Sequence, residues 1–141
     1  MNRNGYHRTE ESELTVIRKA KNMSAYIFQV TQSAPKKFRF SLVAKLQNLS
    51  LDVISNLYKA NDTFIPKQEL ATAVYTERVT KRLDFSFAAL TSLKELDHIV
   101  TLAREMTCIT PKQHEQMALH IYDVRNLLGA WIKSEKRRYP S

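Results

Sequence analysis

Apolar residues recur along the chain at helical spacing, in four blocks punctuated by Pro35, Pro66 and Pro111. In residues 12–33, Leu14, Ile17, Met23, Ile27 and Val30 fall on one helical face. In residues 35–61, Leu42, Leu46, Leu49, Val53 and Leu57 form a continuous stripe, and Asn61-Asp62 is a stop signal. Residues 66–107 carry Leu83, Phe87, Leu90, Leu93, Val100, Ala103 and Met106; as one helix this block would run roughly 60 Å. Its first part, 67–81, is more polar and reads as a projecting extension or a separate short helix. Residues 110–138 open on Thr110-Pro111-Lys112-Gln113, a capping box with proline at the first helical position, and continue as Met117, Ile121, Val124, Leu128 and Trp131. Each proline is expected at or just inside a helix start, because proline is tolerated only in the first turn.

Four amphipathic helices with short connections predict an all-α, antiparallel up-down-up-down four-helix bundle with an unusually long third helical segment. Residues 1–11 are expected to be a flexible N-terminus, 12–138 the bundle and 139–141 a tail. Two places hold more apolar surface than one seam needs. Tyr26, Ile27 and Phe28 fan across about 200°, and Phe85 and Phe87 point about 200° apart. One member of each set must face away from its own core, so a subunit interface is expected there.

Glycine use sharpens this picture, because the chain has only 2, Gly5 and Gly129. They are too far apart for a dinucleotide or P-loop phosphate cradle, and repeated glycine hairpins are unavailable. Gly129 lies inside the last stripe, where glycine costs about 1 kcal/mol relative to alanine. A close helix or subunit approach is the expected compensation.

Catalytic patterns fail one by one. His114-Glu115-Gln116-Met117-Ala118 begins like a zinc-protease motif, but the second histidine is missing and His120 lies about 240° further round the helix. Glu95-Leu96-Asp97-His98 is one copy of a di-iron motif that needs two. Cys108 is the only cysteine, which rules out an intrachain disulfide and a cysteine zinc site, and it reads as a buried, inert thiol. Arg3 and His7 are too close for the arginine–histidine pattern of some helical ribonucleases. No enzyme, cofactor or metal site is expected.

Charge points to a partner. Lys+Arg is 22 and Asp+Glu 14, a formal net charge of +8. Three clusters stand out. Lys36, Lys37 and Arg39 occur where the second helix should begin, a place where cations oppose the helix dipole and so have no structural excuse. Arg78, Lys81 and Arg82 lie at i, i+3 and i+4. Lys133, Lys136, Arg137 and Arg138 close the chain, where cations also complement a helix C-terminus. Reachable cations suit sequence-independent phosphate contacts. The polar N-terminus and the lack of a long apolar run predict a cytoplasmic protein with no membrane partner.

Several segments resemble a family of small bacterial four-helix-bundle proteins. The residues are Leu127-Leu128-Gly129-Ala130-Trp131-Ile132-Lys133-Ser134, Leu102-Ala103-Arg104-Glu105-Met106 with Ile109-Thr110-Pro111, Phe38-Arg39-Phe40, and Leu51-Asp52-Val53-Ile54 with Lys59-Ala60-Asn61. The family includes the accessory variability proteins of diversity-generating retroelements and the proteins encoded in intervening sequences of 23S ribosomal RNA genes. The resemblance implies a homopentameric, basic, non-catalytic barrel. It would bind RNA or cDNA and a reverse transcriptase, and support mutagenic retrohoming. The alternative it implies is an interaction bundle of the intervening-sequence type without a polymerase partner. Phe28, Phe85, Gly129 and Trp131 are the expected oligomer interface. The 62–82 stretch is longer than the family pattern, and Gly129-Ala130 stands where the accessory proteins commonly carry two glycines.

Overall fold

The buried positions step by four and three in every helix. The computed structural model describes residues 3–67 and 72–140, and side chains from residue 15 onward. Among these residues there are four long helices and no strand: α1 (Arg3–Thr31), α2 (Ala44–Asp62), α3 (Thr72–Glu105) and α4 (Pro111–Arg138). The core is built from Val16, Ala20, Met23, Ile27 and Val30 of α1, and Leu46, Ser50, Val53, Leu57 and Ala60 of α2. Opposite them lie Arg82, Ser86, Ala89, Leu93, Leu96, Val100 and Ala103 of α3, and Met117, Ile121, Val124, Leu128, Trp131 and Glu135 of α4. A mean step of 3.5 keeps one seam facing the same neighbours along the whole helix, so the four elements pack as a helical bundle.

Each helix packs on its chain neighbours, and α1 also packs on α4. Along three of these pairs the contacts run in opposite senses. Ser24 Oγ lies 2.9 Å from Ser50 Oγ, and further along α1 Thr31 Oγ1 accepts from Gln47 Nε2 at 3.1 Å. Tyr26 stacks on His120 with centroids 5.2 Å apart, while Val16 and Ile17 lie with Trp131 around one small void. Lys45 pairs with Glu95 near the start of α2, and Arg82 reaches Asn61 at its end.

Several expectations are corrected. On α3 the expected stripe holds at Leu93, Val100 and Ala103, which are buried, and fails before them: Phe87 is exposed and Leu83 and Leu90 half-buried, because Arg82, Ser86 and Ala89 take the seam there, while Met106 lies beyond the helix and is exposed. Pro66 does not open a helix; residues 63–67 are non-helical and α3 begins at Thr72. The polar stretch from Thr72 onward is the first part of α3 itself, while 68–71 lies outside the described residues. At 34 residues α3 is about 51 Å long. The helix α1 starts at Arg3, inside the 1–11 segment that the apolar stripe does not reach.

Two connections explain how a chain with so little glycine turns. Between α1 and α2, Pro35 caps a 3-10 turn (Lys36–Phe38), followed by a π-helical turn (Arg39–Val43). Between α3 and α4, Thr107 takes the left-handed conformation at φ 60°. There Cys108 N–H bonds Ala103 O at 2.8 Å and Thr107 N–H bonds Arg104 O at 3.0 Å. This is the Schellman pattern, with threonine at the position glycine usually takes. The next residues, Cys108 and Ile109, are buried, and burial raises the Cys108 thiol above its ordinary pKa, which keeps it protonated at neutral pH. The capping box then starts α4: Gln113 N–H donates to Thr110 Oγ1 at 3.1 Å and Thr110 N–H to Gln113 Oε1 at 3.0 Å.

A branched residue at positive φ costs about 1 kcal/mol. Thr107→Gly is therefore expected to stabilise the fold, raising Tm by roughly 3–4 °C in thermal denaturation followed by circular dichroism. An unchanged or lower Tm would show that Thr107 is not strained.

Candidate nucleic-acid interface

The helix pairing sends the basic clusters to two ends of the bundle. The α1–α2 and α3–α4 connections share one end, the turn end. The α2–α3 connection and the end of α4 share the other, the tail end, where Tyr75 Oη donates to Pro140 O at 2.9 Å. The ends lie about 42 Å apart, the length of the 28-residue α4.

At the turn end, Lys36, Lys37 and Arg39 are all exposed. Phe38 is buried and anchors the segment, with Lys37 Nζ 5.1 Å from its ring centroid. Two residues later Phe40 is 90% exposed. The π turn widens the backbone here, and such turns recur at functional sites. An exposed ring flanked by three cations offers a stacking surface beside phosphate contacts. Phe40 was missed as a site residue: its only signal was the alternation Phe38-Arg39-Phe40, and nothing in a hydropathy pattern says which ring turns outward.

At the tail end, Arg78, Lys81, Lys133, Lys136, Arg137 and Arg138 are exposed and drawn from two helices. Arg82 is not part of this surface. It is 8% exposed, and its Nε and Nη2 donate to Glu135 Oε1 at 2.9 and 2.5 Å. Its Nη1 donates to Thr63 O at 3.1 Å and to Asn61 O. The guanidinium carbon also lies 5.6 Å from the Trp131 ring centroid and 5.7 Å from that of Tyr139. Its assignment to phosphate binding is corrected for this reason: the donors already serve a buried carboxylate and two carbonyls. Glu135 Oε2 and, one turn earlier on α4, Trp131 Nε1 are buried without a hydrogen-bond partner.

The expected oligomer interface also divides. Trp131 is 4% exposed and covered by Arg82, so a second subunit cannot reach it. Phe85 is half-buried against the core, with Lys59 Nζ 6.0 Å from its centroid. Phe28 lies at the surface. A Cβ added at Gly129 would meet nothing within 4 Å, so no close helix approach within the chain explains that glycine. Among the described residues, no three His, Cys, Asp or Glu side chains gather as a metal site, and no helix is long and apolar enough to cross a membrane.

Removing one partner of a buried ion pair leaves the other charge uncompensated. Glu135→Gln is expected to lower stability by about 3 kcal/mol in urea denaturation. A loss under about 1 kcal/mol, the range of surface pairs, would mean that solvent reaches Arg82.

No family model matches the chain, and no curated protein matches it. Among solved structures, it is similar to a protein of unknown function from the S23 ribosomal protein family of Bacteroides thetaiotaomicron. The two share 16% identity with a TM-score of 0.63, over 86% of this chain and 98% of that one. At that identity the likeness is one of fold: the chain has the helical-bundle fold seen in that protein.

Proposed function

We propose that this protein is a non-catalytic, basic, nucleic-acid-binding accessory bundle that holds RNA or cDNA for a reverse transcriptase of a diversity-generating retroelement. The observation that carries the binding claim is the turn-end group: Lys36, Lys37 and Arg39 exposed around Phe40, which is 90% exposed. Cations there work against the helix dipole, and an aromatic ring in water loses the gain of burial; a bound polyanion with stacking bases offsets both. The polymerase partner rests on the family resemblance.

The opposite running senses of the helix contacts support an antiparallel up-down-up-down bundle. In a cyclic assembly of such bundles, with five subunits as the resemblance implies, each end would contribute one ring of cations. Phe28, Phe85 and Gly129 are the remaining candidates for the subunit contact; the open space at Gly129 would receive a neighbouring subunit's side chain. A second reading is favoured by the fold likeness to the S23 ribosomal protein family structure: an interaction bundle of the ribosomal-RNA intervening-sequence type, with no polymerase partner.

The test is binding of single-stranded oligonucleotide by fluorescence anisotropy. The triple variant K36E/K37E/R39E is expected to bind at least tenfold more weakly, and Phe40→Ala roughly tenfold more weakly at unchanged helicity. Equal affinity for all three proteins would remove the turn end from the interface. Light scattering at micromolar concentration is expected to give a multiple of the 16.4 kDa chain mass, and a monomer would remove the ring. A reverse transcriptase gene with a template repeat beside this gene supports the first reading; an intervening-sequence location in a ribosomal RNA gene supports the second.

A further inference from the structure

A cavity of ≈ 270 Å³ opens at the tail end between α3 and the last turn of α4. It is graded from floor to mouth. Arg82, Ser86 and Glu135 are buried at its base, and Val79, Leu83 and Tyr139 are half-buried along its walls. Lys136 is exposed at its rim, with its Nζ 5.2 Å from the Phe87 ring centroid. Its volume is just below the range of about 300–1,000 Å³ that holds drug-sized ligands, so one ring system with a short appendage fits and a large cofactor does not.

The charges narrow the occupant. Arg82 and Glu135 neutralise each other across the floor, which leaves Lys136 as the uncompensated charge of the lining. Beyond the rim, Arg78, Lys81, Lys133 and Arg137 are all exposed. An apolar slot with a single cation at its mouth matches a flat ring joined to an anion. A simple aliphatic cation is repelled at the rim, and inorganic phosphate leaves the slot unfilled.

We propose that this cavity is a nucleotide subsite: it takes one unstacked base between Val79, Leu83 and Tyr139, with the attached phosphate at Lys136. The ligand chemistry is base plus phosphate, supplied either by a free mononucleotide or by one residue of a single strand. The subsite deepens the nucleic-acid-binding reading, on which it rests for its strand form. It gives that reading a preference that charge alone does not have: a duplex keeps its bases stacked and cannot fill the slot, whereas a single strand can.

Calorimetric titration of the full chain with AMP, adenosine and ribose 5-phosphate tests it. AMP is expected to saturate one site per chain, with both fragments roughly tenfold weaker. Val79→Trp, which fills the slot from its half-buried wall, is expected to weaken AMP roughly tenfold while keeping the wild-type helicity and Tm. Lys136→Ala is expected to weaken AMP and leave adenosine unchanged. Ribose 5-phosphate binding as tightly as AMP, or AMP indifferent to Val79→Trp, would overturn the subsite. K36E/K37E/R39E, at the far end, separates the two claims: it should weaken a single-stranded oligonucleotide and leave AMP alone. An oligonucleotide that binds while AMP does not would overturn the subsite and leave the binding function standing. AMP that binds while no oligonucleotide does would keep the subsite for free nucleotides and overturn the nucleic-acid reading.

Discussion

The tail end of the bundle depends on one buried ion pair. Arg82 and Glu135 occupy core positions in the four-three pattern of α3 and α4, where every other helical layer above them is apolar or small. Desolvating two charges is expensive, and the pair persists because the guanidinium is also spent on two backbone carbonyls, those of Asn61 and Thr63. One side chain thus ties α3, from about a third of the way along it, to the end of α2 and the end of α4. A slip of one turn along either helix would bury a charge without its partner, so the pair opposes shifted registers that a purely apolar seam would tolerate. It also sets the floor of the tail-end cavity and leaves the neighbouring cations outside.

With the interior so defined, the surface charge divides between two ends about 42 Å apart. The chemistry of the two differs. At the turn end a ring, that of Phe40, stands in water among cations. The tail end is concave, with cations around a lined slot. Both ends present exposed cations, but the slot floored by the buried ion pair is at the tail end.

How much of this was readable depended on where polar residues fell. The α4 stripe of Met117, Ile121, Val124, Leu128 and Trp131 is buried throughout, because its hydropathy and its packing agree. On α3 they disagree: Arg82 and Ser86 hold seam positions, so an apolar pattern selected Leu83, Phe87 and Leu90 one step away. The same error sent Arg82 to the surface, since a lone arginine near other cations reads as solvated until its carboxylate partner, fifty-three residues on, is in view. Trp131 looked available for a subunit contact for the same reason. Phe40 lies in the π turn that follows the 3-10 turn after Pro35, and no residue pattern marks a π turn. The capping box at Thr110 was legible because its signal is local.

The central claim is that exposed Lys and Arg side chains bind nucleic acid through its phosphates. The most direct measurement is the affinity of the wild-type protein for a single-stranded oligonucleotide as a function of salt. Contacts from the three turn-end cations alone predict a slope of log affinity against log salt concentration of about −2, steeper with the tail end engaged. Affinity that stays flat between about 50 and 200 mM salt would contradict it.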